Sequence, residues 1–312
     1  MSASSDSPRK SDVLIVGGGG AGLTAALYSS RAKLSTFLLE KLAPGGQIAL
    51  TDLVENYPGF PEGITGGEIS QRMEDQAKRY GTEVFYDEVL GLRREGRDFL
   101  TRTAGAQTLQ SRTVILAAGA SYRKLGVPGE KELTGRGVSY CATCDGAFFK
   151  EKELVVVGGG DSAMQEGIFL TRFASKLTVV HRRDKLRANP LLEERARQNP
   201  KISFVWDTVV TDVVGDKKVQ GLKLKNVKTG ETRDFKTDGL FVFIGHDPNT
   251  QFLKGFVELD EKGYVKTGAG LRTSVPGVFA AGEIRAGAVQ QLVSCCGEGC
   301  EAALAAQAYL EH

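Results

Sequence analysis

Residues 12–22 read DVLIVGGGGAG, an apolar run followed at once by closely spaced glycines. Gly17, Gly19 and Gly22 have the G-x-G-x-x-G spacing, and a helix is predicted from there through about Ala32. In such a strand–turn–helix unit the first glycine makes the turn, the second lets a pyrophosphate approach the backbone, and the third lets the helix pack on the strand. The helix N-terminus then receives the phosphates. The stretch therefore predicts a dinucleotide-binding domain.

A second strand in this region is followed by the residue expected to bind the ribose. It runs from Thr36 to Leu39, and Glu40 comes next, at the roughly 20-residue distance from the glycines where an acidic side chain meets a ribose hydroxyl. A glycine motif alone is weak evidence, because glycine-rich turns are common. Strand, helix and acid together favour a site for FAD or NAD.

The rest of this first copy contains a long loop and a meander. Residues 44–67 are rich in proline and glycine, and an irregular stretch of this length is usually functional in a compact domain. We expect it either to fold over a bound cofactor or to be a surface excursion. A helix is predicted at Glu68–Tyr80, a strand at Glu83–Tyr86, a three-strand meander at 88–111, and a buried strand at 113–117 that ends in Ala118 and Gly119.

The same order of elements then begins again, which indicates an internal duplication. A strand at Glu153–Val157 leads into Gly158-Gly159-Gly160-Asp161-Ser162-Ala163 and a predicted helix through about Phe173. The echo continues with a strand at 177–180, polar residues, a strand at 202–206, a meander at 209–236, a strand at 240–244 and Gly245. A last strand within 277–283 has no predicted counterpart in the second copy and is expected to complete the first domain, followed by a long helix.

The predicted fold class is α/β, with two Rossmann-like dinucleotide-binding domains. Each is a three-layer arrangement of a parallel sheet plus a β-meander, and the second domain is inserted in the first.

The two copies differ where the ribose is recognised. In place of Glu40 the second copy carries His181, Arg182, Arg183 and Arg187 after its second strand. A carboxylate repels a 2′-phosphate, whereas guanidinium groups bind it with charge-assisted and often bidentate hydrogen bonds. The second copy is therefore predicted to bind NADP. The alternative for this basic cluster is a solvated helix end, the usual position of a charge run.

Between the two copies lies a Cys-x-x-Cys pair, Cys141 and Cys144, with Asp145 directly after it. Two intervening residues let the sulfurs meet when the second cysteine lies in the first turn of a helix, where a thiolate is also favoured. Asp145 is placed to exchange a proton with a sulfur. Alone the motif is ambiguous, because half of a zinc site or two packed cysteines have the same spacing.

Composition limits the classes of function. The 312 residues carry a net charge of +2, which gives no general attraction to nucleic acid or to an anionic membrane. Residues 1–12 lack the apolar segment of a signal peptide, and no apolar run is long enough to span a membrane, so we expect a soluble cytoplasmic protein. Of the five cysteines, Cys295, Cys296 and Cys300 lie in the last predicted helix, where packing is favoured over metal binding.

Taken together, the motifs resemble the low-molecular-weight thioredoxin reductases of bacterial type. The resemblance is carried by the first glycine motif, Cys-Ala-Thr-Cys-Asp-Gly at 141–146, His-Arg-Arg-x-x-x-Arg at 181–187, Gly-His-x-Pro-Asn-Thr at 245–250 and Ala-Ala-Gly-Glu at 280–283. It covers nearly the whole chain, and the cysteine motif is specific because related flavoproteins place the redox pair elsewhere or lack it.

The resemblance implies a domain organisation and a reaction. Residues 1–121 and 249–312 would form a discontinuous FAD-binding domain, and residues 122–248 an NADPH-binding domain that carries the redox-active pair. Hydride would pass from NADPH to the flavin and then to the disulfide, which would reduce thioredoxin. A homodimer is implied, as is rotation of one domain relative to the other about hinges near 121–124 and 246–249. No metal is expected, given the spacing of the cysteines.

It also implies roles for individual residues. Cys144 would face the flavin, Cys141 would attack the disulfide of thioredoxin, and Asp145 would donate the proton. The expected FAD-binding residues are Gly17, Gly19, Gly22, Glu40, Gly46, Gln47, Asn56, Ala118, Gly119, Glu283, Gln291 and Leu292. The expected NADPH-binding residues are Gly158, Gly160, Asp161, Ser162, His181, Arg182, Arg183, Arg187 and Gly245.

Two positions depart from the family pattern. Glu283 stands where the family usually has an aspartate that contacts the ribitol of the flavin. Gln290-Gln291-Leu292 stands where the family usually has Arg-Gln-Ala at the start of the last helix, although a backbone N–H and the helix dipole survive that change.

Other classes of protein share parts of this pattern. One is a flavin disulfide reductase that serves a peroxiredoxin or another small dithiol carrier, and the residues before the first strand are too few for the extra thiol domain that the peroxiredoxin partners usually carry. Another is an NADPH reductase of ferredoxin or flavodoxin that uses no thiols. A third is a nucleotide-binding sensor without catalysis.

Overall fold

A computed structural model describes residues 8–51, 53, 54 and 56–311, without the side chain of Leu50. The chain divides into two compact units, of which the first is Met1–Ser121 with Asp247–His312 and the second is Tyr122–His246. The chain thus crosses between units after Ser121 and after His246, whereas the sequence placed the second crossing at 248. The assignment of FAD to the first unit and NADPH to the second stays a prediction.

The helices and strands follow in chain order. Up to the first crossing they are β1 (Arg9–Val16), α1 (Gly20–Arg31), β2 (Thr36–Glu40), α2 (Gly66–Arg79), β3 (Glu83–Tyr86), β4 (Val89–Glu95), β5 (Asp98–Thr103), β6 (Thr108–Leu116) and β7 (Ala120–Tyr122). The second unit contributes β8 (Val138–Ser139), α3 (Ala142–Asp145), β9 (Glu153–Val157), α4 (Asp161–Leu170), β10 (Lys176–Val180), α5 (Pro190–Gln198), β11 (Ile202–Val205), β12 (Thr208–Gly215), β13 (Val219–Asn226), β14 (Thr232–Lys236) and β15 (Gly239–Val242). The chain then returns through β16 (His246–Pro248), β17 (Val278–Ala280) and α6 (Leu292–Leu310).

The sheet of the first unit has the strand order β3-β2-β1-β6-β5-β4, and β17 also pairs with β6. Strands β1, β2, β3, β6 and β17 are parallel neighbours, while β4, β5 and β6 form the antiparallel meander. Successive residues of β1 point to opposite faces, yet Val13, Leu14 and Ile15 are all fully buried. Both faces of the sheet are therefore covered, as a parallel sheet requires.

Strand β6 spans two strands that the sequence predicts separately. The sequence separated a third meander strand from a buried strand at 113–117, but β6 is continuous. Its residues 108–111 pair with β5, and its residues 114–116 pair with β17 on the same edge. The separation was wrong because the polar residues Ser111 and Thr113 look like a break, although both are buried in the strand.

The second unit repeats this plan with the meander detached. Its parallel sheet has the order β11-β10-β9-β15-β8, and β12-β13-β14 form a separate antiparallel sheet. Val155 and Val157 of β9 face the meander side, whereas Leu154 and Val156 pack against α4. Each unit thus has helix, sheet and meander layers, and the predicted α/β fold class is confirmed.

Strand β8 corrects the prediction that the last strand has no counterpart in the second copy. It pairs in parallel with β15, in the position that β17 takes beside β6. The counterpart was missed because it precedes its glycine motif in the chain, whereas β17 follows its own. It is also short, and no hydrophobic period can be read from Val138 and Ser139.

Helix α5 was missed as well, since residues 181–201 were read as merely polar. Asn189 caps the helix by accepting the N–H of Leu191 over 2.9 Å, and Pro190 occupies its first position. Both are helix-start signals that the sequence contains. The helix buries only Ala196, so it has almost no apolar stripe to reveal it.

Among the described residues, no helix is long and apolar enough to cross a membrane. The prediction that residues 1–12 lack a signal peptide falls partly on residues 1–7, which lie outside the described residues.

Candidate active site

The glycine turn between β1 and α1 has the conformation that its sequence predicts. Gly17 has a φ of +106°, and a Cβ there would lie 2.4 Å from the carbonyl oxygen of Ala117. A Cβ on Gly22 would lie 1.8 Å from the oxygen of Gly17, so glycine alone lets α1 pack this closely. A Cβ on Gly19 would meet no described atom within 4 Å. The backbone at Gly19 therefore faces open space, as a pyrophosphate would require.

Glu40 lies beside this turn, at the end of β2. Its two carboxylate oxygens accept the N–H groups of Gly18 at 2.8 Å and Leu42 at 3.0 Å. These bonds fix the carboxylate next to the glycines and leave it further acceptor sites, because a carboxylate can accept about four hydrogen bonds. A ribose with free hydroxyls fits such a group.

The long loop after β2 contributes two residues next to the turn. Gly46 has a φ of +57°, and a Cβ there would lie 3.7 Å from the Cα of Gly19. Gln47 donates through its amide nitrogen to the oxygen of Ala120, while its buried Oε1 has no hydrogen-bond partner among the described residues. A buried amide oxygen without a donor favours a ligand at this place. Residues 52 and 55 of the loop lie outside the described residues.

The same loop reaches the start of the last helix. Asn56 donates to the side-chain oxygen of Gln291 at 3.2 Å, and Gln291 precedes the first turn of α6. Leu292 packs closely on Gly20, since a Cβ on Gly20 would lie 2.4 Å from the Leu292 side chain. Helices α1 and α6 therefore begin next to each other, and their N–H groups and dipoles favour an anionic or electron-rich group there.

Ala118 and Gly119 follow β6, the strand beside β1. The carbonyl oxygens of both residues are bound by Asn249, at 2.8 Å from its side chain and 3.0 Å from its backbone N–H. Gly119 has a φ of +67°, and a Cβ there would meet no described atom within 4 Å. Asn249 was not among the predicted site residues, although it lies within the Gly-His-x-Pro-Asn-Thr motif.

Glu283 lies in a short 3-10 turn after β17. Burial raises its pKa from the ordinary value of 4.5 to about 7. The turn is fixed by Glu298 of α6, which accepts the N–H of Gly282 at 2.7 Å and forms an ion pair with Arg285. Glu298 and Arg285 were missed by the sequence, because neither belongs to a motif and their pairing depends on how α6 packs.

The glycine turn of the second unit is packed like the first, since a Cβ on Gly158 would lie 2.4 Å from the carbonyl oxygen of Phe243. Gly158 has a φ of +155°, and a Cβ on Gly160 would meet no described atom within 4 Å. Gly160 precedes α4, whose first turn carries Asp161 and Ser162 exposed to solvent. Asp161 accepts the N–H of Asn189 at 2.5 Å, which holds the segment before α5 against the start of α4.

His181 lies under this turn rather than beside it. Its ring would be 2.2 Å from a Cβ on Gly159, it is 6% exposed, and it packs edge-on against Trp206. Burial lowers its pKa, and the charges of Arg187, Arg183 and Arg182 lower it further. Its Nε2 has no partner among the described residues. A neutral imidazole with one open nitrogen fits a position next to a phosphate-bearing ligand.

A cavity of about 280 Å³ lies where the predicted 2′-phosphate site should be. Arg182, Arg183 and Arg187 all line it. Lys228 lines it too and forms ion pairs with Asp184 at 3.2 Å and Asp207 at 3.0 Å. Lys228 comes from the turn between β13 and β14, and nothing in the sequence connects it to the arginines. Gly245 lies elsewhere in the unit, where its oxygen accepts the N–H of Arg123 at 3.0 Å.

The redox pair is closed as a disulfide between Cys141 and Cys144. Cys141 is the N-cap of the short helix α3, and its sulfur accepts the N–H of Cys144 at 3.2 Å. Ser139 fixes the preceding backbone by accepting the N–H of Cys141 at 3.1 Å. The N–H of Asp145 is bound to the oxygen of Cys141, so its side chain is carried on the same turn. The predicted redox geometry is present.

Comparisons with known proteins identify the family of this chain. A family model described as pyridine nucleotide-disulphide oxidoreductase matches residues 11–306. A thioredoxin reductase of Bacillus subtilis is 51% identical over 301 residues, which cover 96% of this chain and 95% of that protein. A thioredoxin reductase of Streptomyces coelicolor is 48% identical over 302 residues, covering 96% and 94%. The crystal structure of thioredoxin reductase from Streptococcus pyogenes superposes with a TM-score of 0.92 at 44% identity, covering 98% of this chain and 99% of that one.

The chain belongs to the pyridine nucleotide-disulphide oxidoreductase family. The predicted resemblance to thioredoxin reductases and the predicted oxidoreductase class are confirmed. Family membership implies a flavin and a pyridine nucleotide, and the residues fit both groups. The orphaned oxygen of Gln47 and the open backbone at Gly19 fit the first, and the arginine-lined cavity fits the second. The roles of individual residues stay predictions.

Of the three cysteines outside the redox pair, Cys296 is buried, and Cys295 and Cys300 are partly buried. Burial raises the pKa of the Cys295 thiol to about 12, and the nearby Glu283 and Glu298 raise it as well. Such a thiol stays protonated and is a poor nucleophile. Across the described ranges, no group of three or more His, Cys, Asp or Glu side chains is placed to hold a metal ion.

Proposed function

We propose that this chain reduces the disulfide of thioredoxin with NADPH, through FAD in the first unit and the Cys141–Cys144 pair in the second. The closed disulfide at the N-cap of α3 is the observation that carries the proposal. A zinc site needs a second ligand pair, and a packed core needs no bond between the sulfurs. Relatives named thioredoxin reductase, about half identical over nearly the whole chain, support thioredoxin as the substrate.

The choice of NADPH over NADH follows from the basic cavity. Arg182, Arg183 and Arg187 present guanidinium groups to one space, and each can bind a phosphate oxygen through two donors. The first unit has Glu40 at the corresponding position, where a 2′-phosphate would be repelled. We therefore place NADPH in the second unit and FAD, whose ribose carries free hydroxyls, in the first.

Bound FAD would supply a carrier that takes up a hydride and passes two electrons to a disulfide. This chain's residues would bind and orient the two cofactors and perform the thiol chemistry. When the pair is reduced, the thiolate of Cys141 attacks one sulfur of thioredoxin and forms a mixed disulfide, and the other thioredoxin sulfur leaves with a proton. Cys144 then attacks Cys141, restoring the disulfide and releasing the second thiol of thioredoxin. Asp145 is the proposed source of the proton.

We further propose a homodimer in the cytoplasm, where thioredoxin pools keep thiols reduced. Sedimentation or light scattering of the purified protein measures its oligomeric state. Fractionation of cells measures its location. A monomer at micromolar concentration would contradict the dimer without touching the reaction.

A steady-state assay tests the function. NADPH oxidation is followed with several thioredoxins as acceptor and with NADH as the matched control. We expect a thioredoxin-dependent rate with NADPH and a far smaller one with NADH. If no thioredoxin supports NADPH oxidation, the proposed substrate is wrong.

A further inference from the structure

Tyr140 lies directly before the redox pair, between β8 and α3. Its hydroxyl donates a hydrogen bond to Oε1 of Glu130 at 2.9 Å. Burial raises the pKa of Tyr140, and so does its bond to Glu130, so the phenol keeps its proton and acts as the donor. The side chain directly before the reactive Cys141 is thus bound to Glu130, ten residues earlier in the chain.

Glu130 is an unusual anchor because it is only 2% exposed. Besides the Tyr140 hydroxyl, it accepts the N–H groups of Leu125 and Gly126, each at 2.8 Å, one on each oxygen. A buried carboxylate must keep its donors, since losing one leaves an acceptor without a partner. Breaking the hydrogen bond to Tyr140 is therefore unfavourable, and this bond fixes the tyrosine.

The ring of Tyr140 is held on its other side by an aromatic stack. Tyr122 lies on it with ring centroids 5.3 Å apart and an angle of 22° between the planes. Tyr122 in turn contacts the ring of His246 at 4.7 Å. Tyr122 and His246 are the first and last residues of the second unit, so the stack joins the residue before Cys141 to both points where the chain crosses.

We propose that Tyr140 is a positioning residue for the Cys141–Cys144 pair, fixed by Glu130 through its hydroxyl and by Tyr122 through its ring. The inference rests on the proposed function only in taking the pair as redox-active. When the disulfide is reduced, the covalent tie between the cysteines is lost, and the neighbouring anchor decides how close Cys141 stays to Cys144. A well-anchored Cys141 raises the effective concentration of one thiol at the other and favours the disulfide.

The proposal is tested by measuring the thiol–disulfide equilibrium between the holoenzyme and glutathione. In this exchange the Cys141–Cys144 bond breaks, two glutathione thiols are oxidised to glutathione disulfide, and their protons end on the two cysteine sulfurs. The oxidised and reduced fractions are measured by alkylation and mass spectrometry at several glutathione ratios. This readout needs neither turnover nor thioredoxin.

Tyr140→Phe removes only the hydroxyl and keeps the stacked ring. We expect its equilibrium constant to move toward the dithiol by roughly three- to tenfold, which corresponds to the net contribution of one ordinary hydrogen bond. Glu130→Gln should move it in the same direction. Matched controls are Tyr80→Phe, whose ring is exposed, and Glu132→Gln, exposed and two positions from Glu130, and neither should change the constant.

Tyr122→Leu tests the stack, because it leaves the hydrogen bond of Tyr140 in place. It should also shift the constant toward the dithiol, and wild-type behaviour would overturn the part of the proposal that concerns the stack. Thermal unfolding of each holoenzyme variant checks that the fold is retained. Tyr140→Phe is the mildest change, and if this folded variant equilibrates like wild type, positioning by the hydroxyl is refuted.

Kinetics separates this inference from the proposed function. With Tyr140→Phe we expect flavin reduction by NADPH at the wild-type rate and slower reduction of thioredoxin by three- to tenfold, in line with the equilibrium shift. If the wild-type enzyme reduces no thioredoxin, the proposed function fails, while the glutathione equilibrium still decides the role of Tyr140. A variant that slows flavin reduction as well would contradict a role confined to the pair.

Discussion

The backbone N–H of Cys144 donates a hydrogen bond to the sulfur of Cys141 over 3.2 Å. In the reduced enzyme this donor would face a thiol or thiolate at the N-cap of α3, and an N–H that points at sulfur favours the thiolate. This geometry supports the proposal that Cys141 attacks an external disulfide. Cys144 lies three residues further along, within α3, where it would resolve the proposed mixed disulfide.

We predict that Cys141→Ser and Cys144→Ser each lower the rate of thioredoxin reduction by more than about a thousandfold, because each removes a reacting sulfur. Bleaching of the flavin by NADPH without oxygen should persist in both variants. Cys300→Ser, outside the pair, is the control and should keep full activity. Full thioredoxin reduction by Cys144→Ser would instead favour a thiol-independent electron transferase.

Alanine substitutions at two glycines of the first turn should have different effects, one on FAD affinity and the other on stability. Gly19→Ala adds a methyl group to open space, at a φ of −75° that alanine adopts freely, so the apoprotein should fold normally. The methyl group would occupy the space of the pyrophosphate, and we expect FAD affinity to fall by about tenfold or more. Gly22→Ala drives a Cβ into the oxygen of Gly17 and should destabilise the fold by roughly 1–3 kcal/mol.

Titration of FAD into the stripped protein and thermal unfolding without FAD measure the two effects. Gly67→Ala is the control, since its Cβ would also meet no described atom within 4 Å, and it lies in α2, outside the glycine turn. It should leave FAD affinity unchanged. Equal loss of FAD affinity in the Gly67 and Gly19 variants would show that the turn is not the site.

The arginine cluster should decide the choice of nucleotide. Replacing Arg182, Arg183 or Arg187 by glutamine removes a charge-assisted hydrogen bond to a 2′-phosphate, and we expect KM for NADPH to rise by about ten- to a hundredfold per residue. KM for NADH, which lacks that phosphate, should change little. Arg195→Gln, an exposed arginine of α5, is the matched control for lost charge.

Measured KM values for both nucleotides in all four variants give the answer. A parallel rise for NADPH and NADH would place the arginines at some other part of the nucleotide. An effect of Arg195→Gln as large as that of the cluster would reduce the role of the arginines to general electrostatic attraction.

Much of this fold could be predicted from the sequence because its elements carry strong local signals. The turn at Gly17 needs a positive φ and a close approach that glycine alone permits, so the sequence marks it directly. Cys141 and Cys144 are marked by their spacing. Strand β9 was predicted with its observed bounds because it is short, apolar from Leu154 to Val157 and followed by glycines.

The parts that escaped prediction depend on pairing between distant segments. Strand β8 is recognisable as a strand only through its pairing with β15. Lys228 lines the arginine cavity only because the meander brings its turn there. Glu130 looks like one acid among many, and its burial follows from the loop that wraps it. Such residues have no local pattern, since their role is created by tertiary contacts.

The raised pKa of Glu283 predicts a pH dependence of stability for the protein stripped of FAD. Burial lifts this pKa from 4.5 to about 7 in the folded protein. Below about pH 4.5 both folded and unfolded forms are protonated, and the stability is fully present. Between about pH 4.5 and 7 the unfolded form ionises first, so the free energy of unfolding falls by up to about 3 kcal/mol.

Glu283→Gln cannot ionise and should escape this loss. Measured by urea unfolding of the stripped protein, the variant should gain stability relative to wild type as the pH rises from 4.5 to 8, by up to about 3 kcal/mol. Glu301→Gln, an exposed acid of α6, is the control and should follow the wild-type profile. Parallel profiles for wild type and Glu283→Gln would mean that Glu283 ionises in the folded protein at its ordinary pH, and that water reaches its carboxyl group.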